Sequence, residues 1–181
     1  MIIFQEHPQT GYAMRTWDNA RLSDLTIAFA VDFTTPGEIL TRKAAYGKYL
    51  GVEFDLLLTD INKAASTILK EMEKRKVRVL NVAGNGIYSL KHLCNQAFVD
   101  DRLLLLFTII ILNYGNDFDI RSGGQTGLDE AALKAGDFLN MPTTCLAPKG
   151  WMFRNEQGQD ICSETLFLKR FGEKYDVTDI L

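Results

Sequence analysis

The stretch "FDIRSGGQTGLDEAALKAGDFLN", residues 118–140, decides the fold. A short β-prone run, 118–122, ends in Ser122-Gly123-Gly124-Gln125-Thr126-Gly127. From Leu128 onward the apolar residues recur at helical spacing, so the segment reads as strand, glycine turn, helix. Glycine turns the chain sharply and lets the backbone approach another group closely. The first N–H groups of the following helix have no intrahelical partner and carry the positive end of its dipole. Such a turn favours a phosphate or another oxyanion. Taken singly it is equally well a good turn with no ligand, because the motif is weak without context.

Working outward, the pattern repeats. The runs 25–31, 51–58, 77–84 and 143–147 are β-prone and largely apolar, as strands covered on both faces are. Helical patterns lie at 36–49, 60–76, 95–115 and 128–140, with a short one at 164–171. This alternation predicts an α/β, three-layer Rossmann-like sandwich: a mainly parallel sheet of five or six strands with helices on both faces. No Pro/Gly/Ser-rich linker divides residues 1–181 and there is no internal repeat, so a single domain is expected.

In an open parallel sheet, ligands sit beyond the carboxyl ends of the strands. Run 77–83 ends in Gly84-Asn85-Gly86, and run 25–31 leads into Asp32-Phe33-Thr34-Thr35-Pro36-Gly37. Run 143–147 leads into Pro148-Lys149-Gly150, which adds a cation at the same edge. Thr35 with Glu38, and Thr126 with Asp129, each fit a capping box, and Pro36 suits a first helical position. Three glycine-bearing turns and Lys149 at one edge favour a ligand crevice over three unrelated turns. The turns contain neither a Walker A loop nor G-x-G-x-x-G, so a hydride-transferring dinucleotide enzyme is disfavoured.

Composition narrows the classes further. Hydrophobic residues make up 46% and charged residues 24%, the profile of a globular chain in water. The net charge of −3 argues against a nucleic-acid partner. Cys94, Cys145 and Cys162 have no metal-type spacing and read as reduced thiols in a cytoplasmic setting, and His7 and His92 lie far apart, so no metal site is expected. The start, "MIIFQEHPQTGYAMR", lacks the basic and apolar regions of a signal peptide. The apolar run 103–112 is about half a membrane span and reads as a buried helix, so no membrane partner is expected. A helix so apolar is hard to cover in a monomer, and a homo-oligomer is expected.

The segment "SGGQTGLDEAALKAGDFLNMPTTCLAPKG" resembles the opening of the molybdenum-carrier family, within the SLOG superfamily of Rossmann-like nucleotide binders that includes the lonely-guy phosphoribohydrolases. "RNEQG" at 154–158 is similar to that family's charged loop. Its later segments resemble the front of this chain: "RTWDNARLSDLTIAF" at 15–29, "TPGEILTRKAA" at 35–45 and "VLNVAGNG" at 79–86. The chain thus resembles a circular permutant of the family over most of its length. The resemblance is carried most strongly by Gly123, Gly124, Gln125, Thr126, Gly127 and Lys149. It is softer at Arg15, Asn19, Asp24, Gly37, Thr41, Asn81 and Gly84. Where the family's Ala-Gly turn continues into Pro-Arg, this chain has Asn85-Gly86, which removes an anion-pairing arginine.

What the resemblance implies is a bound nucleotide or molybdopterin-type ligand. The first expectation is a binding protein for a small phosphorylated, nucleotide-derived molecule such as ADP-ribose, for sensing, carriage or sequestration. Backbone N–H groups of the turns would hold phosphates, Lys149 and Arg15 would supply charge, and Gln125 and Asn81 would read base or ribose edges. Thr35 and Asn85 complete that ligand-binding set. The alternatives are a molybdenum-cofactor carrier and a nucleotide phosphoribohydrolase cleaving an N-glycosidic bond. The hydrolase needs a carboxylate, for which Glu38 and Asp24 are the candidates; for Glu38 the capping box is the simpler role. A third reading is an interaction module marked by Trp17, Trp151 and Phe153, of which Trp151 and Phe153 read equally well as lid residues.

Overall fold

The computed structural model describes residues 1–172. Six strands, β1 (Ile2–Glu6), β2 (Leu25–Ala30), β3 (Tyr49–Glu53), β4 (Val79–Gly84), β5 (Asp119–Ser122) and β6 (Thr143–Ala147), form one parallel sheet in the order β1-β6-β5-β4-β2-β3. The helices are α1 (Tyr12–Arg21), α2 (Pro36–Ala44), α3 (Asp55–Thr59), α4 (Ile61–Arg75), α5 (Ile87–Leu90), α6 (Gln96–Tyr114), α7 (Leu128–Phe138) and α8 (Glu164–Lys169). A small antiparallel hairpin, β7 (Met152–Arg154) with β8 (Asp160–Cys162), follows β6. The architecture is a three-layer α/β sandwich of Rossmann-like type. Its strand order is consistent with permutation, since β1 pairs along its whole length with β6.

Side-chain alternation gives the sheet two unlike faces. On one, Leu25, Ile27 and Phe29 of β2, Leu80 and Val82 of β4 and Ile120 of β5 enter a large apolar core. That core is completed by α4, α6 and α7 through residues such as Ile68, Met72, Phe107, Ile110 and Ala131. The other face carries Thr26, Asn81 and Arg121, and α1 covers it: Asn19 Oδ1 accepts from Arg121 Nη2 at 3.5 Å. Asn81 Nδ2 donates to Thr26 Oγ1 at 3.2 Å. A second, smaller core gathers Cys145, Phe153 and Phe167, with Phe4 and Trp151 against it.

Several elements lie outside the sequence expectation: β1, α1, α3, α5 and the β7/β8 hairpin. For α1 the reason is physical: it turns Arg15 and Asn19 inward with Ala20, so no apolar stripe marks it. The run 51–58 is only half strand; β3 ends at Glu53 and Asp55–Thr59 is helical, with Leu57 buried. The helix expected over 36–49 ends at Ala44, and Gly47 (φ 73°) redirects the chain into β3. The apolar run 103–112 lies within α6, where Leu103, Phe107 and Ile110 are buried while Leu105 and Leu112 stay exposed. Among the described residues, no helix is long and apolar enough to cross a membrane.

The two capping boxes come out differently. Thr35 does cap α2, its Oγ1 accepting from the Glu38 N–H at 3.4 Å, but the Glu38 side chain points elsewhere. Thr126 does not cap α7; its hydroxyl donates to the Arg154 carbonyl at 2.6 Å. Gly127 takes the cap position with φ 87°, a conformation glycine alone adopts without strain. A Cβ there would strike the Asn85 carbonyl and lie 2.8 Å from the Ile87 nitrogen.

These contrasts predict that Gly127→Ala destabilises the protein by about 2–4 kcal/mol, because strain and backbone collision act together. Gly37→Ala, in a helical conformation with nothing within 4 Å of its Cβ position, raises stability by roughly 0.5 kcal/mol. Urea unfolding of the two variants beside the wild type checks both signs.

Candidate functional site

The segments that follow β2, β4 and β5 enclose a cavity of about 540 Å³. Thr35, Gly37 and Glu38 from the start of α2 form one wall, and Asn81, Gly84 and Asn85 from the end of β4 form another. Arg15 and Asn19 of α1 close it from the polar face of the sheet. Arg154 of β7 reaches it from the hairpin, between the rings of Tyr12 and Tyr88 at 5.7 and 5.4 Å. Arg154 is held there by Asp160 through two bonds of 2.8 and 3.0 Å, and Tyr12 donates to the same carboxylate at 2.7 Å. Hydrogen bonding to Asp160 raises the Arg154 pKa, and burial raises that of Tyr12.

The glycine turn after β5 contributes to this cavity mainly through Gln125. Gly123, Gly124, Thr126, Gly127 and Lys149 do not line it. Several of the turn's amides are engaged by the protein itself. Gln125 N–H donates to Asp129 Oδ2 at 3.5 Å, and the Gly123 amide also bonds the Asp129 carboxylate. Gly127 N–H donates to Gln96 Oε1 at 2.6 Å, and Leu128 N–H to the Asn85 carbonyl at 3.3 Å. The anion at this helix start is therefore Asp129, a side chain of α7. Gly123 is required for another reason: a Cβ there would occupy the place of the Arg15 guanidinium. At Gly124 a Cβ would lie 2.5 Å from Phe167 and 2.7 Å from Cys145 Sγ, so a substitution there disturbs packing.

Below the turn runs a chain of buried charges. Arg170 contacts Glu130 at 2.6 Å and the Gly124 carbonyl at 2.8 Å. Lys134 bridges Glu130 and Asp100, each at 2.7 Å, and Gln96 joins Asp100 at 2.8 Å. Burial pushes the Asp100 carboxyl up to about 6, against the pull of Lys134. The network fixes α6, α7 and the segment after α8 around the turn.

Two further expected residues stand apart. Asp24 accepts the Arg78 and Val79 N–H groups, both at 2.9 Å, and so pins the start of β4, the end of that strand remote from the cavity. Lys149 is exposed, and its N–H bonds to the Gln9 carbonyl. Phe153 is buried in the smaller core, where Trp151 packs edge-on to Phe167 at 5.4 Å; Trp17 is 41% exposed.

The electrostatic centre of the cavity is a buried pair, Arg15 Nη1 to Asp129 Oδ2 at 3.1 Å. Burial pushes the Asp129 carboxyl up, while Arg15 and the Gln125 and Gly123 amides pull it back. Glu38 sits on the same cavity wall and is 4% exposed. Burial, then the charge of Asp129, pushes its pKa up to about 7. Its Oε1 accepts from Asn85 Nδ2 at 3.5 Å, and its Oε2 has no partner. Arg15 Nε and Asn19 Nδ2 are also buried without partners. Three residues lining one cavity thus hold unsatisfied polar atoms, each costing about 1–3 kcal/mol when desolvated and unpaired.

Tyr12, Tyr88, Asp129 and Arg154 complete this set and are not among the residues expected to bind the ligand, and Asn19 was carried only by the softer part of the resemblance. A further readable signal is the i, i+4 pair Arg15/Asn19, which puts two polar residues on a single helical face. Among the described residues, no group of His, Cys, Asp or Glu is arranged to hold a metal ion. Compared with family models, curated proteins and solved structures, the chain has no match in any of the three.

The raised Glu38 pKa predicts a stability effect with a definite sign. A carboxyl whose folded pKa exceeds its unfolded value of 4.5 loses stabilisation as pH rises toward about 7 and loses no more beyond it. Glu38→Gln removes that loss. Its advantage over the wild type in unfolding free energy should grow between about pH 4.5 and 7, reach on the order of 3 kcal/mol, and then stay flat. Denaturant unfolding at a series of pH values checks it.

Proposed function

We propose that this protein binds a small phosphorylated, nucleotide-derived molecule of the ADP-ribose kind in the cavity between α1, α2 and the end of β4, for sensing, carriage or sequestration. The observation that carries this reading is the trio of buried, unpartnered polar atoms on the lining residues Arg15, Asn19 and Glu38. Natural interiors rarely leave such atoms unsatisfied, which marks this wall as a place where polar pairing is incomplete. The start of α2, capped by Thr35 and lined through Gly37, adds the positive end of a helix of nine residues. At the rim, Tyr12, Arg154 and Tyr88 offer flat aromatic and cationic surface of the type that stacks on a base. The resemblance of "GGQTGLDEAAL" and "LNVAG" to the molybdenum-carrier branch of the SLOG superfamily points to the same ligand class.

A second reading, cleavage of an N-glycosidic bond, draws on Glu38 alone: a buried carboxyl poised near neutrality in a ligand-sized cavity is suited to general-acid work. The binding reading is favoured because Asp129, the other carboxylate of the cavity, is saturated by Arg15 and backbone amides.

ADP-ribose at a hundred times its Kd should stabilise the wild type by about 2.7 kcal/mol, visible as a raised Tm. Asn19→Asp keeps the size of the side chain and its neighbour Arg121 but turns an unpartnered donor into a negative charge. It should weaken ADP-ribose binding at least tenfold while the protein stays folded. Chromatography of the recovered ligand separates the two readings: intact ADP-ribose supports binding, and a released base supports hydrolysis.

A further inference from the structure

We propose that the outer face of α6, with its flank on α4, is the contact between two copies of this chain, paired about a two-fold axis. This contact does not depend on the ligand reading above. It lies on the side of the sheet opposite α1 and α2.

α6 packs against both α4 and α7 in its layer. Its inward residues Leu103, Leu106, Phe107 and Ile110 are fully buried. The outward face of such a helix is ordinarily polar. Here no charged residue occurs between Arg102 and Asp117. Helical spacing places Leu105, Thr108, Ile109 and Leu112 on one outward stripe, and Leu105 is 42% and Leu112 80% exposed. The polar side chains of this face are used within the helix. Thr108 donates its hydroxyl to the Leu104 carbonyl at 2.8 Å, and Asn113 donates its amide to the Ile109 carbonyl at 2.7 Å. The neighbouring α4 follows the usual rule, with Asn62, Ser66, Lys70 and Glu73 exposed. The apolar stripe is thus a property of α6 and not of the whole layer.

A second copy is the occupant because the face is complementary to itself. Beside the stripe, α4 and α6 leave a recess of about 460 Å³, bounded by Ala65, Ser66 and Leu69 on one side and by Ile109 and Asn113 on the other. Leu112 stands one turn from Ile109, so projection and recess adjoin. In a two-fold contact one patch serves both copies, and Leu112 of each enters the recess of the other. Lys70 and Glu73 border the recess, so its rim presents both signs of charge to its own copy. The nineteen residues of α6 span about 28 Å, and α4 packs about 8–10 Å to the side, which gives a face on the order of 500–600 Å². That reaches the lower end of specific interfaces, about 600 Å² per partner, and its apolar centre is typical of homodimers. An interface of this size is expected to exchange with monomer in the micromolar range.

Sedimentation velocity on the full chain tests this. Between about 1 and about 200 μM the wild type should pass from a monomer of 20.4 kDa toward twice that mass. Leu112→Lys sets a charge at the centre of the contact, and Ser66→Arg fills the recess; each should raise the dimer Kd at least tenfold. Both positions are exposed, so the melting temperature of the dilute, monomeric protein should not change. Tyr46→Lys, at a 90% exposed position after α2, should dimerise like the wild type. A wild type that stays monomeric at the highest concentration overturns the proposal and leaves the face to an unlike protein. A dimer indifferent to both Leu112→Lys and Ser66→Arg, or growth past the dimer into larger species, overturns it as well.

Discussion

The buried pair between Arg15 and Asp129 is the contact on which the rest of the site depends. It joins α1, on one face of the sheet, to α7, on the other, across the carboxyl ends of the strands. Buried pairs are expensive unless both partners are further satisfied. Here Asp129 also takes the Gln125 and Gly123 amides, and Arg15 passes over a residue that has to be glycine. The glycine turn is therefore built for an internal anion. Its function is to let a guanidinium cross the sheet edge and to hold a carboxylate at a fixed place.

This arrangement moves the site away from the turn and toward α2. With the α7 start occupied by Asp129, the helix start that faces the cavity belongs to α2, and Glu38 lies beside it. Two carboxyls in one cavity end in different environments. Asp129 has a cation and amides around it, whereas Glu38 has an amide on one oxygen and nothing on the other. Burial pushes both carboxyls up, but Asp129 alone has a cation and amides pulling it back. Asn85 matters as much as either acid, because it anchors the end of β2 and orients Glu38 at once.

Much of the fold was legible because the apolar core obeys simple periodicity. The runs of Leu25–Ala30 and Thr143–Ala147, and the helical spacing of Ile61–Arg75, are set by burial against neighbours, and burial leaves an apolar pattern. α1 escaped that logic because its inward residues, Arg15 and Asn19, are polar: Asn19 meets Arg121 on the polar sheet face, and Arg15 pairs with Asp129. That a cavity lies at the carboxyl edge was readable from the turns, but the contacts within it were not. Nothing in the spacing of Thr126 and Asp129 reveals that Gly127 caps α7, nor that Thr126 bonds to β7 instead. Those outcomes depend on residues more than twenty positions away, among them Gln96 and Arg154. For Glu38 the capping motif pointed to a local role, and a tertiary contact with Asn85 overrode it.

The hairpin formed by β7 and β8 shows how such distant contacts give the cavity its shape. Gln125 accepts the Arg154 N–H at 2.9 Å, and Thr126 donates to the Arg154 carbonyl, so the glycine turn grips β7 by its backbone. That grip leaves the Arg154 side chain free to extend between Tyr12 and Tyr88, with Asp160 fixing its plane. A planar cation between two rings at the mouth keeps positive charge near the entrance without placing it among the donors of the wall. On the proposed reading, a phosphate entering the cavity would pass this cation before reaching the wall formed by Arg15, Asn19 and Glu38. The glycines that first draw attention in the sequence thus serve the site indirectly, by holding the cationic rim and the internal carboxylate on either side of it.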